Sequence, residues 1–321
     1  MKISKNFNIC VPGGKGMVGS SIIRRLRDNG YNNIIEIDRS VDLRNQNNVK
    51  EFFNDTSIDY VIICAAKVGG IVSNSNLPVD YLYDNLMIQS NIIHEAYNAG
   101  INDLLFLGSS CIYPKHVAQP IKEEYLLSGP LEETNLGYAL AKITGIKMCE
   151  SYNRQYKTDY RSVMPTNLYG INDTYDLIHS HVIPALIMKI YDAYINNKAS
   201  VTIWGTGNAK REFMHVDDLA SACLHVMCLS HEELLNITSE DCSHINIGVG
   251  FDITIKKLVF LIADIIGFGG EFIFDESKPD GVPRKLLDNS RLESSGWFKT
   301  IELKEGLSQV IIDYINNLKQ F

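Results

Sequence analysis

Asn8-Ile9-Cys10-Val11-Pro12-Gly13-Gly14-Lys15-Gly16-Met17-Val18-Gly19 is the stretch on which the fold turns. Its first residues, Asn8 to Val11, read as a short buried strand that runs straight into a glycine-rich loop. From Met17 to about Asn29 the pattern becomes helical. Strand, glycine loop and helix in that order form a phosphate-binding turn: the chain must bend tightly, its backbone must approach a pyrophosphate, and the helix N-terminus meets the negative charge. Both Gly-x-Gly-x-x-Gly and Gly-x-x-Gly-x-x-Gly can be read here. Such a pattern can be a plain glycine turn, but between a strand and a helix at the start of an alternating chain it predicts dinucleotide binding by Gly13, Gly14, Lys15, Gly16, Met17, Val18 and Gly19.

Outward from this turn, strands are predicted near Phe7, Ile34, Tyr60, Leu104 and Tyr160, with helices near Met17, Asn47, Pro78 and Tyr138. This alternation defines an α/β fold, a Rossmann-type doubly wound, mostly parallel sheet. Beyond about Gly170 it breaks up. Pro184 to Asn196 reads as a helix, and Val201 to Trp204 and Glu271 to Phe274 read as extended. A dinucleotide-binding domain over residues 1–170 and a smaller C-terminal α/β substrate-binding cap over residues 171–321 are expected, interleaved, with later segments returning to the first. The helix from Asp80 to Ala99 shows a stripe of Leu82, Leu86, Ile93 and Tyr97, interrupted by Gln89 and widened by Ile88, Ile92 and Ala96. It suits burial against the sheet or, together with the helix from Tyr138 to Tyr156, pairing in a homodimer.

Chemistry is concentrated in Gly-Tyr-Ala-Leu-Ala-Lys, which puts Tyr138 and Lys142 four residues apart, and upstream in Leu107-Gly108-Ser109-Ser110-Cys111-Ile112-Tyr113-Pro114. Residues i and i+4 share a helix face, so the Lys142 ammonium is expected beneath the Tyr138 phenol, bringing a group that titrates near ~10 into use as an acid/base. Ser109, at a strand end facing that helix, would donate to the same substrate oxygen. Tyr-x-x-x-Lys also fits an ordinary amphipathic helix, and only the adjacent cofactor loop gives it redox meaning.

The 321 residues, 45% hydrophobic and 21% charged, can bury a substantial core. A net charge of −8 argues against nucleic-acid binding. No long apolar run suits a membrane span, and the first residues lead into a strand rather than a secretory segment, so a cytoplasmic location is expected. Seven cysteines with no Cys-x-x-Cys suggest reduced thiols and no metal site.

Longer blocks carry a resemblance: Ala65-Ala66-Lys67-Val68-Gly69-Gly70-Ile71, Cys149 to Tyr156, Met164-Pro165-Thr166-Asn167-Leu168-Tyr169-Gly170, Ser180 to Leu186, Arg211 to Asp218 and Lys278 to Asp288. Over nearly its whole length the chain resembles the extended short-chain dehydrogenase/reductases, and within them the epimerase-reductases of GDP-4-keto-6-deoxymannose, which form GDP-L-fucose. That resemblance implies a reductase triad of Ser109, Tyr138 and Lys142, with Cys111 and His181 as the epimerising acid/base pair. Taken from the residues alone, Cys111 also fits a small core thiol and His181 a helix-entry histidine, with His179 nearby as a competitor. Ala65, Lys67, Pro165, Asn167, Leu168 and His181 are expected around the cofactor. Arg211 is a candidate for the substrate diphosphate, Trp204 for the guanine, and Lys285 for the sugar phosphates; Lys189 stands where the resembling enzymes often carry arginine.

The second strand ends Glu36-Ile37-Asp38-Arg39-Ser40. Asp38 favours the ribose hydroxyl of NAD(H), while Arg39, with Lys15, favours the 2′-phosphate of NADP(H); the resemblance implies NADP(H). Asp42 and Leu43 are expected to flank the adenine. Rival readings are a reductase that acts only at C4 of an already epimerised GDP-heptose, and a non-catalytic nucleotide-sugar sensor on the same fold. A 4,6-dehydratase would need Thr-Asp-Glu where Ser109-Ser110-Cys111 stands, and a UDP-sugar epimerase would retain NAD tightly.

Overall fold

The computed structural model describes residues 3–37, 39–176, 180–278 and 280–318. Its strands are β1 (Ile9–Cys10), β2 (Ile34–Ile35), β3 (Tyr60–Ile63), β4 (Asp103–Leu107), β5 (Asp159–Pro165), β6 (Asn167–Tyr169), β7 (Ser200–Trp204), β8 (Lys210–Arg211), β9 (Phe213–His215), β10 (Ile245–Ile247), β11 (Ile253–Thr254), β12 (Glu271–Asp275) and β13 (Arg284–Lys285). The helices are α1 (Met17–Asp28), α2 (Gln46–Asp55), α3 (Ile71–Asn76), α4 (Pro78–Asn98), α5 (Leu136–Tyr156), α6 (Val182–Ile195), α7 (Val216–Cys228), α8 (His231–Ile237), α9 (Ile255–Ile266), α10 (Ser290–Ser294) and α11 (Leu303–Leu318).

The central sheet has six strands in the order β10-β5-β4-β3-β1-β2. Every pairing within it is parallel. Its middle strands are continuous apolar runs, such as Tyr60-Val61-Ile62-Ile63, because both faces are covered. One face packs Ile9, Ile62 and Leu105 against Ile22, Leu26, Leu219 and Val226 of α1 and α7. The other packs Val61, Ile63 and Phe106 against Val49, Ile92 and Ile146 of α2, α4 and α5. Strand order reverses between β1 and β3, which opens a crevice beyond the carboxyl ends of the strands.

The last strand of this sheet, β10, follows four strands that lie outside it, β6 to β9, and returns to pair with β5, Ile245 opposite Val163. A third core holds Ile187 and Ile190 of α6, Val201 and Ile203 of β7, Leu258 and Ile262 of α9, and Val310 of α11. Among the described residues, no helix is long and apolar enough to cross a membrane.

The stripe on α4 is rotated from its expected position. Tyr81, Asn85, Gln89, Ile92, Ile93 and Ala96 are buried, whereas Leu82 and Leu86 are half-exposed. Gln89 is not an interruption: its amide donates to the carbonyl of Ala141, so a polar side chain binds α4 to α5 from within the packed seam.

Candidate active site

The glycine loop lies in the crevice where strand order reverses. Gly13 has φ +84, and a Cβ on it would stand 2.6 Å from the backbone nitrogen of Ala65, just after β3. A Cβ on Gly19 would stand 2.2 Å from the carbonyl oxygen of Gly13, so only glycine lets α1 start this close to the loop. Gly16 caps α1 without a side chain, and no acidic residue sits in the first turn. The N–H groups at that end lack intrahelical acceptors and carry the positive end of the helix dipole. Loop and helix thus fit a dinucleotide's diphosphate.

Around this cradle the expected contacts divide. Arg39 and Lys15 are exposed, while Asp38 lies outside the described residues. Asp42 is engaged by Arg44, whose Nε donates to it at 2.9 Å and which lies 3.5 Å from Asp84. Asp42 therefore already carries a cation, and Arg44, unremarked in the sequence, ties the loop after β2 to α4. The carbonyl of Leu43 accepts from Asn91 at 3.0 Å. Lys67 points its ammonium at Asp80 (2.6 Å) and Asp84 (3.2 Å), and its backbone is clasped by Asn85. Pro165 ends β5, the Asn167 amide donates to the Glu212 carbonyl at 2.8 Å, and Leu168 packs on the core.

Ser109 follows β4 by two residues, and its hydroxyl is hydrogen bonded to the Tyr138 phenol. Lys142, one turn along α5, is buried with its ammonium 5.8 Å from the Tyr138 ring centre, and it donates to the Leu107 carbonyl. The three residues expected together are together. Burial drives the Tyr138 phenol above its ordinary value, and the nearby Cys111 adds to this, outweighing the Ser109 hydrogen bond that pulls it down. Burial also drives Lys142 down to about 8. Desolvation dominates because protein packs closely about both side chains, Lys142 buried and Tyr138 half-buried. The result is a protonated phenol, able to donate.

Cys111 lies on the single turn after Ser109, whose Oγ accepts from the Cys111 N–H at 3.3 Å. Asn135 donates to its sulfur at 3.2 Å, and the Lys285 ammonium stands 3.8 Å away. Lys285 and Arg211 are register partners on β13 and β8. Burial lowers the Arg211 pKa; Asp280 foremost, then Cys111, oppose that. Next to Arg211, the carboxylate of Glu212 is fully buried and receives the N–H groups of Val249, Gly250 and Leu287. No sequence pattern marked Glu212, since its partners lie far along the chain.

His181 occupies the N-cap position of α6 and is exposed, yet the protein packed about its ring lowers its pKa. Among the described residues it makes no side-chain hydrogen bond to Cys111, Ser109 or Tyr138, and His179 lies outside them. Trp204 is 51% exposed, so it is not core; the ammonium of Lys189 lies 5.1 Å from its ring centre and that of Lys278 5.8 Å.

A glycine cradle at the switch point of a parallel sheet, opening toward a Ser-Tyr-Lys cluster, defines a class of Rossmann-type oxidoreductases that work with a bound nucleotide cofactor. The chain belongs to the NAD dependent epimerase/dehydratase family, whose model matches residues 9–247. It is 50% identical to a GDP-L-fucose synthase from Escherichia coli K12 across 98% of each chain. Among solved structures, a GDP-6-OMe-4-keto-L-xylo-heptose reductase from C. jejuni superposes with a TM-score of 0.92 at 35% identity, covering 99% of this chain and 100% of that one. A GDP-mannoheptose C4 reductase from Campylobacter jejuni with NADP bound superposes at 0.88 with 36% identity, covering 98% and 99%.

Proposed function

We propose that the chain is an NADP(H)-dependent epimerase-reductase that converts GDP-4-keto-6-deoxy-D-mannose to GDP-L-fucose by inversion at C3 and C5 and reduction at C4. The observation that carries this reading is the placement of the Cys111 thiol on the turn directly after Ser109, beside the Ser109-Tyr138 hydroxyl pair. A C4 carbonyl acidifies the C–H bonds on either side of it, so one pocket needs a base for those positions and a proton donor for the oxygen between them. Cys111 is that base, taking each proton as an enolate forms. His181, at the N-cap position of α6, returns protons on the opposite face. Tyr138 protonates O4 while Ser109 holds it. Bound NADPH supplies the hydride.

Arg211 suits the substrate diphosphate, and Trp204 with Lys189 suits the guanine. The exposed apolar side chains of Val79 and Tyr83 on α4, and Leu136 and Leu140 on α5, support a homodimer through these helices. Unpaired thiols suit the cytoplasm.

A second reading, reduction at C4 alone on an already epimerised GDP-heptose, is favoured by the 0.92 superposition on a heptose reductase. Incubation with GDP-4-keto-6-deoxymannose and NADPH in heavy water separates the two. The epimerase-reductase oxidises cofactor and gains solvent deuterium at both C3 and C5, and Cys111→Ser loses the deuterium. Cofactor oxidation with no deuterium gain would establish the C4 reductase.

A further inference from the structure

We infer that Asn135 and Lys285 form a two-donor cradle that positions the sulfur of Cys111 and supports its negative charge, an inference that rests on the epimerase reading above. Asn135 occupies the N-cap of α5. Asparagine there ordinarily turns its side-chain oxygen onto a first-turn N–H, and that cap stabilises a helix. Asn135 makes no such bond. Its Nδ2 donates instead to the Cys111 sulfur at 3.2 Å, and its Oδ1 is buried without a hydrogen-bond partner among the described residues. The helix start thus gives up a cap and strands a polar atom while its amide faces the sulfur. Such local costs persist where the arrangement serves a site.

Lys285 addresses the same sulfur from β13, at 3.8 Å. It is held by strand pairing with Arg211 rather than by a loose loop. The charged and titratable groups around the sulfur come from each neighbouring element: Lys285 from β13, Arg211 from β8, Tyr138 from α5, and the Lys115-Glu132 pair (3.1 Å) from the loops before α5. Glu132 is matched by Lys115, so the field at the sulfur is set by two cations and an amide donor. Lys285 is therefore assigned to the thiol rather than to the sugar phosphates.

The test is the rate at which iodoacetamide alkylates the peptide carrying Cys111, followed by mass spectrometry on the intact folded protein between pH 6 and 10. NADPH binding at the glycine loop serves as the folding control. An ammonium beside a thiolate is expected to speed alkylation near pH 7 by about tenfold, so Lys285→Met slows it by that factor and Lys285→Arg restores most of it. Asn135→Ala slows it roughly threefold. Asn135→Asp, of the same size but negatively charged, slows it further. All differences shrink toward pH 10. An alkylation profile unchanged in Lys285→Met and Asn135→Asp overturns the cradle. A wild-type protein that fails to place solvent deuterium in the sugar overturns the epimerase reading by itself, because alkylation needs no substrate.

Discussion

The ammonium of Lys142 lies 2.7 Å from the carbonyl oxygen of Leu107, so the helix that carries Tyr138 is fastened to the strand end that delivers Ser109. Lys142 sets the distance between two catalytic candidates as well as the charge beneath them.

That burial has a stability signature. An unfolded lysine titrates near ~10.4, whereas Lys142 in the fold is held at about 8. Between those values the unfolded chain binds more protons, so Lys142 makes stability rise as pH climbs from about 8 toward 10. Lys142→Met is expected to remove that rise. Urea unfolding of both proteins at pH 7.5 and 10 should show their difference changing by roughly 2–3 kcal/mol. Reduction by the wild type should decline above pH 8 as the ammonium loses its proton.

Tyr138→Phe keeps the ring but deletes the proton donor. NADPH oxidation is expected to fall by roughly 10²–10⁴-fold. Deuterium exchange through Cys111 should persist in the same sample. Retention of full reductase activity would remove Tyr138 from the mechanism.

Replacing Glu212 with alanine leaves the N–H groups of Val249, Gly250 and Leu287 unsatisfied in the interior. Each buried orphan costs about 1 kcal/mol or more, so a loss of roughly 3 kcal/mol is expected in denaturant unfolding. A surface-like effect under 0.5 kcal/mol would mean that water replaces the carboxylate.

Gly13→Ala introduces both a clash with the Ala65 backbone and a side chain at φ +84. NADPH affinity, read by fluorescence titration, is expected to fall at least tenfold, which corresponds to about 1.4 kcal/mol. Unchanged affinity would place the cofactor elsewhere.

A glutamate at Tyr83 or Leu140 puts charge on the exposed apolar strip of α4 and α5. Sedimentation should shift from dimer to monomer while NADPH binding stays intact. A wild type that sediments as a monomer would rule out the homodimer.

Local chemistry made much of this molecule legible. The loop from Pro12 to Gly19 and the Tyr138-Lys142 spacing lie within short segments whose geometry follows from glycine freedom and helical period. The protonation of Tyr138 could not be read the same way, because it depends on burial by the whole fold rather than on a neighbour four residues away. Asn135 and Glu212 were invisible for a related reason. Glu212 meets partners 37 and 75 residues further along the chain, and Asn135 meets Cys111 from 24 residues away. The α4 stripe misled because Gln89 reads as polar and therefore outward, yet its amide finds the Ala141 carbonyl inside the seam.

The return of β10 to the central sheet also orders events during synthesis. Until residues 245–247 have left the ribosome, β5 presents an unpaired edge, Val163 to Pro165, which β10 later covers. A nascent chain long enough to hold the glycine loop, Tyr138 and Lys142 therefore still carries a sticky apolar margin. The central sheet therefore cannot be completed ahead of the segment that contributes Arg211, and the third core waits longer still, for α9 and α11.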